Sequence, residues 1–81
     1  MKVQVRRDNP TLTNQSDTVT FQTRTLPTGG TRVYVTTLNP QRTELGKATH
    51  DFPGGIVDAM RWIDAREQRL TTAYGFARRT R

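Results

Sequence analysis

The 81-residue chain contains no cysteine and a single histidine, His50. Without thiols it has no disulfide framework, no thiolate metal site and no cysteine nucleophile, so a reducing, cytoplasmic location is expected. A metal site or a nucleophile–histidine–acid triad would need partners for His50 at suitable spacing, and the sequence supplies none. The sequence therefore predicts a protein that is not an enzyme and that holds no metal or cofactor.

Long apolar stretches are also missing, and only 32% of the residues are hydrophobic. No run is long enough for a transmembrane helix or a signal peptide, so no membrane partner is expected. A chain of this length forms one small domain, and its core is too small to enclose a deep active site. We expect this domain to comprise residues 1–75, followed by a basic tail at residues 76–81.

Acidic residues are few relative to basic ones, which gives a formal net charge of +6. Lysine occurs only at Lys2 and Lys47, so arginine carries nearly all of the positive charge. This balance favours anionic partners such as nucleic acid, an acidic protein or anionic lipid. Arginine binds phosphate and guanine in a bidentate manner, but the codon usage of a GC-rich genome would produce the same arginine richness.

Residues 18–38 are present as two alternating, β-branched runs, TVTFQTRTL and TRVYVTTL, joined by PTGG. Alternation with a period of two predicts half-buried strands. A three-residue loop of Pro27, Thr28 and Gly29 fits a type I turn followed by a left-handed residue. The resulting hairpin register places four pairs of residues opposite each other: Phe21 and Val35, Thr23 and Val33, Gln22 and Tyr34, Arg24 and Arg32.

This register separates an apolar face from a polar face, and a slip of one residue would mix them. Arg24 opposite Arg32 is the informative pair, because like charges facing each other across two strands are unfavourable. Solvent on an ordinary outer surface would screen them. A phosphate backbone or an acidic partner lying over them would make them useful.

The remaining chain is built around the hairpin. Residues 2–6 (KVQVR) alternate and predict an edge strand, residues 8–17 are rich in turn formers and predict a long loop, and residues 42–49 predict a short third or fourth strand. His50-Asp51-Phe52-Pro53 reads as a helix start, with Asp51 as the N-cap. The basic tail at residues 76–81 is expected to be frayed.

Residues 55–74 carry apolar side chains with a period of 3.6, which predicts one helix ending near Tyr74-Gly75. Trp62 lies on the flank of the apolar stripe. It is interpreted either as a seal at the rim of the core or, together with Arg66, as an exposed anchor for a protein partner. The predicted stripe consists of Ile56, Ala59, Met60, Ile63, Leu70 and Tyr74.

Residues 19–70 resemble the AP2-like arm-binding domains of phage integrases and the related small phage excision proteins. The resemblance rests on strands of the type RTLPTGGTRVYVTTL and RTELGKATHDF, followed by a helix with Ala59 and the pair Trp62-Ile63, which comes after an aromatic, Phe52. It implies a small phage-type protein whose sheet lies in the major groove of DNA. The chain departs from the family by an extra amino-terminal strand and by Pro53, and without a following recombinase domain it is expected to be a free-standing binder.

The combined interpretation is an α+β fold, with an antiparallel sheet of three or four strands packed against one C-terminal helix. The predicted function is nucleic-acid binding, with duplex DNA as the favoured target. The alternative is an interaction module that binds an acidic host protein through Trp62 and Arg66, and a homodimer through an open sheet edge is a further alternative. Residues predicted to contact nucleic acid are Arg6, Arg7, Gln22, Arg24, Arg32, Tyr34, Arg42, Arg78, Arg79 and Arg81.

Overall fold

The computed structural model describes residues 10–41 and 43–79, in which one antiparallel sheet is crossed by one helix. The sheet has five strands in the order β4-β3-β2-β1-β5. The α+β class with a C-terminal helix is confirmed. The elements are β1 (Thr11–Thr13), β2 (Thr18–Thr25), β3 (Thr31–Leu38), β4 (Glu44–Phe52), α1 (Ile56–Tyr74) and β5 (Ala77–Arg78).

The β2–β3 hairpin has the predicted register, with Phe21 opposite Val35 and Arg24 opposite Arg32. The Leu26 amide donates to the Gly30 carbonyl at 2.8 Å, which closes a three-residue loop. Gly29 has φ of 95°, a conformation that glycine adopts without steric cost. The alternating pattern and the turn residues therefore act together to fix the register.

One face of the sheet packs against α1 and forms the core, and we call it the helix face. Phe21 and Val33 are fully buried there, as are Ala59 and Ile63 of the helix. The predicted helical stripe is confirmed at these two positions and at Ile56, Met60 and Leu70, which are partly buried against the core. Neither a hairpin nor a helix of this length is stable alone in water, so this contact holds the two parts of the domain together.

The prediction of a loop at residues 8–17 is wrong for residues 11–13. They form β1, which pairs with β2 and places Leu12 opposite Val19, fully buried in the core. The turn-forming residues act instead in the connection between β1 and β2. There the Asn14 side-chain carbonyl accepts hydrogen bonds from the Ser16 and Asp17 amides at 2.8 and 2.7 Å. A three-residue strand between turn formers is too short to show a period, and burial of Leu12 decides its structure.

The prediction of a frayed tail at residues 76–81 is also wrong for the described residues 76–79. α1 ends at Tyr74 and is followed by Gly75, whose φ of 72° is left-handed, and the chain then returns along β1 as β5. Phe76 is 6% exposed and belongs to the core, whereas Tyr74 is 61% exposed, contrary to its predicted place in the helical stripe. The left-handed turn at Gly75 points the chain back to the sheet, so Phe76 fills the end of the core instead of Tyr74.

The strand predicted at residues 42–49 is confirmed from Glu44 onwards, but it extends to Phe52, where a helix start was predicted. Asp51 is therefore not an N-cap. Gly55 precedes the helix and makes no side-chain cap hydrogen bond. Asp51 lies opposite Arg32 across the β3–β4 ladder, and this cross-strand pairing keeps the chain extended past His50.

The predicted edge strand at residues 2–6 lies outside the described residues, as do Arg42 and Arg81. Within the described parts of the chain, no helix is long and apolar enough to cross a membrane.

Candidate nucleic-acid interface

The second face of the sheet carries no packed element among the residues that the structure describes, and we call it the outer face. Side chains alternate between the two faces of a strand, so the helix-face positions fix which residues point outward. All of these outward residues are partly or fully exposed. The outer face comprises Thr11 and Thr13 on β1, Thr18, Thr20, Gln22 and Arg24 on β2, Arg32, Tyr34, Thr36 and Leu38 on β3, Glu44, Lys47, Thr49 and Asp51 on β4, and Ala77 on β5.

Four polar side chains meet at one end of the outer face, and we call them the arginine–tyrosine cluster: Arg24, Arg32, Tyr34 and Asp51. Arg32 Nε donates to Asp51 Oδ1 at 2.7 Å, and its terminal nitrogen donates to Asp51 Oδ2 at 3.1 Å. Arg24 and Arg32 both lie close enough to the Tyr34 hydroxyl to lower its pKa by hydrogen bonding to the phenolate. The cluster therefore runs as one network across β2, β3 and β4.

Asp51 reduces the repulsion predicted between Arg24 and Arg32. Arg24 does face Arg32, but the bidentate bond to Asp51 balances the charge of Arg32 and raises its pKa further. The same bond lowers the pKa of Asp51. No carboxylate of the described residues lies within ion-pair distance of Arg24, which leaves it as the uncompensated cation of the cluster.

The pKa of the Tyr34 phenol provides a test of the arginine–tyrosine cluster in solution. Hydrogen bonds from Arg24, and secondarily from Arg32, stabilise the phenolate, so the pKa of Tyr34 lies below its usual value of about 10. Because the folded-state pKa is lowered, Tyr34 is expected to lose its proton at lower pH in the folded protein than in the unfolded chain. The difference between the ultraviolet titrations of the wild type and Tyr34→Phe isolates this phenol.

The matched test uses Arg24→Ala, which should raise the Tyr34 midpoint towards that of a free tyrosine. Arg61→Ala removes an exposed arginine from α1 and should leave the midpoint unchanged. Equal midpoints in the wild type and Arg24→Ala would show that Arg24 does not contact the phenol.

Threonines occupy the other half of the outer face, a feature that the sequence interpretation did not identify. Thr11 lies opposite Thr20 and Thr13 opposite Thr18, and Thr20 in turn lies opposite Thr36. Their hydroxyls form a neutral patch of hydrogen-bond donors and acceptors beside the arginine–tyrosine cluster. These threonines lie on three different strands, β1, β2 and β3. They become neighbours only through the pairing of the strands, which the sequence alone does not show.

The arginines predicted on a basic tail have different surroundings. Arg78 points to the helix face and forms a bidentate bond with Glu67, with distances of 2.6 and 2.9 Å. Its charge is therefore balanced by a carboxylate, and its predicted role as a phosphate contact stays a prediction. Arg79 follows β5 and its amide donates to the Thr11 carbonyl at 2.8 Å, so its backbone is fixed at the border of the outer face and its side chain is exposed.

Most of the excess positive charge lies outside the described residues. The described residues include eight lysines and arginines against six acidic residues, a balance of +2 out of the total of +6. The other four charges come from residues 1–9, Arg42 and Arg81, which include the predicted phosphate contacts Arg6 and Arg7. The outer face thus carries specific polar side chains but little net charge. Most of the net charge of the chain comes from residues 1–9, Arg42 and Arg81.

Trp62 lies on the opposite side of the sheet, at the edge of the core. Its ring packs against Phe21, Phe52 and His50 at centroid distances of 6.3, 5.9 and 4.5 Å. The guanidinium of Arg66 lies 5.0 Å from the indole centroid, in a cation–π arrangement. These contacts favour the role of a rim seal, and the role of an anchor for a partner stays a prediction.

A shallow groove of about 190 Å³ opens beside this ring, bordered by Val35, Ala48, His50, Trp62 and Arg66. Within residues 10–41 and 43–79, no three histidine, aspartate or glutamate side chains come together as metal ligands would.

No family model matches the chain, and no curated protein or solved structure matches it at a significant level. The resemblance to AP2-like domains therefore stays a prediction.

Proposed function

We propose that this protein binds nucleic acid without catalysing a reaction, and that duplex DNA lies against its outer face. The observation that carries the proposal is the arginine–tyrosine cluster on a face left uncovered by the described elements. No carboxylate of residues 10–41 or 43–79 pairs with Arg24 there, and Arg24 lies beside Gln22 on β2, close enough to Tyr34 to lower its pKa. Arginine and glutamine are side chains that read guanine and adenine edges.

The dimensions of the cluster support this proposal. Gln22, Arg24, Arg32 and Tyr34 occupy two adjacent strands, which lie about 5 Å apart. The side chains of these two interior strands therefore present a strip narrower than the major groove of B-DNA, which is about 12 Å wide. Flanking threonine hydroxyls and Arg79 would then meet the phosphates on one side, since such groups position a protein on the backbone without reading sequence.

Arg32 has a secondary role in this proposal. Two of its donors are engaged by Asp51, which leaves it other N–H groups for a base or a phosphate. The Asp51 carboxylate would also repel a phosphate placed near it. Arg24 is therefore expected to contribute more to affinity than Arg32.

Reversing the charge of Arg24 tests the proposal. Arg24→Glu should weaken binding to a short duplex at low salt by about tenfold or more, since a charge-assisted hydrogen bond contributes about 1.5–3 kcal/mol. Losing one phosphate contact should also reduce the salt slope of the affinity by about one. Fluorescence anisotropy with a labelled duplex over a salt series measures both quantities.

Arg61→Glu is the matched control, because it makes the same charge change at an exposed position on α1. It should lower the affinity only through the change in net charge. Equal losses in the two variants would show that the duplex does not lie on the outer face. A wild-type affinity no better than about micromolar at low salt, with no salt dependence, would contradict the proposal.

A protein partner is the second candidate, and the groove beside Trp62 favours it. An acidic segment of a host protein would meet Arg66 there and could place an apolar side chain against Val35 and Ala48. This candidate predicts that Arg66→Glu abolishes capture of a host protein from nuclease-treated lysate, whereas Arg24→Glu does not. Loss of capture in Arg24→Glu but not in Arg66→Glu would show that the host protein binds to the outer face instead.

A further inference from the structure

The sheet has one long open edge, formed by β4. β4 lies at one end of the sheet order, and no strand of the described residues pairs along its outer side. Its nine residues contain no proline, and residues 44–49 are all exposed. The opposite edge, β5, has only two residues. Open edges of this length carry unpaired amides and carbonyls that pair with a further strand.

The charges along β4 are complementary to those of a second copy of the same strand. Two antiparallel copies are related by a two-fold axis perpendicular to the sheet, so that residues opposite each other point to the same face. Lys47 and Asp51 both point to the outer face, with Thr49 midway between them. With Thr49 opposite its own copy, each Lys47 lies opposite an Asp51 of the second copy. Within one chain Asp51 also binds Arg32, and Lys47 lies 3.9 Å from Glu44, so the contact joins these ion pairs across the edge.

Other registers lack this complementarity. An axis at Lys47 places two lysines opposite each other, which is unfavourable. An axis at Ala48 places Lys47 opposite Thr49, and an axis at His50 places Asp51 opposite Thr49. The register with Thr49 on the axis is therefore the one favoured by charge.

The helix face is complementary in size in the same register. Gly46 lies opposite Phe52 of the second copy, and Ala48 lies opposite its His50. A Cβ atom added at Gly46 would meet no heavy atom within 4 Å, so the position leaves open space for a large neighbour. The groove bordered by Val35 and Ala48 adjoins this space.

We propose that this protein forms a homodimer in which two β4 strands pair antiparallel with Thr49 on the two-fold axis. The dimer joins the two sheets into one continuous sheet with both outer faces on the same side. It rests on the edge and charges of β4 and does not require nucleic-acid binding, so the two proposals fail independently.

Charge exchange tests the register. Lys47→Glu replaces both attractive pairs by repulsive ones and should raise the dimer dissociation constant by about tenfold or more. Asp51→Lys should do the same, and because it also removes the carboxylate that binds Arg32, recovery of the dimer in a mixture with Lys47→Glu separates the two effects. Mixed together, the two variants should form a heterodimer, because every introduced charge then faces an opposite one. Arg61→Glu should dimerise like the wild type, and sedimentation over a wide concentration range measures each case.

Cross-linking gives a second test, since the chain has no cysteine of its own. Thr49→Cys lies opposite its own copy at the separation that a disulfide requires, about 5 Å between Cα atoms. Lys47→Cys lies about 14 Å from its copy, four residues along the strand. Oxidation should therefore link Thr49→Cys rapidly and Lys47→Cys poorly.

A protein that stays monomeric at every concentration would overturn the proposal. So would a dimer in which Lys47→Glu has no more effect than Arg61→Glu, or in which the two cysteine variants cross-link equally.

Discussion

Phe76→Ala is expected to lower the free energy of unfolding by about 3–5 kcal/mol, the usual range for removing a buried aromatic side chain. Phe76 is 6% exposed and packs in the core beyond the end of α1. A loss of this size is a large part of the stability of a small domain. It corresponds to a fall of more than about 10 °C in melting temperature, because each kcal/mol shifts a domain of this length by about 4–8 °C.

Tyr74→Ala is the matched control, since it removes an aromatic ring two residues earlier that is 61% exposed. Its effect should stay near or below about 1 kcal/mol, as is usual for surface positions. Thermal and urea unfolding followed by circular dichroism compare the two variants. Equal effects would mean that the chain after Gly75 is a tail and that Phe76 does not belong to the core.

Leu12→Ala is expected to cost about 2–5 kcal/mol, because the side chain is fully buried and its removal leaves a cavity. Leu12 lies between Val19 of β2 and Arg78 of β5, in the strand that joins β5 to the rest of the sheet. Its loss should therefore weaken β5 as well as β1. Hydrogen exchange of the Arg79 amide, which donates to the Thr11 carbonyl, should accelerate more than the exchange of the β2–β3 amides.

Leu45→Ala makes the same chemical change at a position that is 58% exposed and lies outside the seven residues of β4 that pair in the proposed dimer. It should change stability by less than about 1 kcal/mol. Equal losses of stability in Leu12→Ala and Leu45→Ala would contradict burial of Leu12, and would mean that residues 11–13 form a loop on the surface.

The central hairpin could be predicted from sequence because several local signals agree. Alternation, β-branched residues and the turn at Pro27–Gly29 all specify one register, and the same residues place Arg24 and Tyr34 on one face. The helix has a clear period and a glycine stop at Gly75. Such agreement between local and global signals is what makes a segment predictable.

The short strands could not be predicted in this way. β1 and β5 have three and two residues, fewer than a period needs to be visible. Their structure depends on burial of Leu12 and Phe76 against residues far away in the chain. Tertiary contacts therefore override the turn composition of residues 8–17 and the basic composition of residues 76–81.

The candidate site likewise contains residues that local signals place and one residue that only tertiary contacts place. Arg24, Arg32, Gln22 and Tyr34 follow from the hairpin alone. Asp51 does not, because its position depends on where β4 ends and on the register between β3 and β4. A helix start and a strand end share the same residue types here, aspartate followed by an aromatic and proline, so local propensity could not separate them.

Strand alternation places the arginine–tyrosine cluster on the face that the described elements leave uncovered, and we propose that nucleic acid binds to this face. An NMR titration with a short duplex tests it most directly through two side-chain amides, Gln22 on the outer face and Gln68 on the exposed side of α1, both of which are solvent-exposed. We predict that the Gln22 amide and the Arg24 guanidinium signals shift as duplex is added, while the Gln68 amide does not. Shifts at Gln68 without shifts at Gln22 and Arg24 would contradict the account.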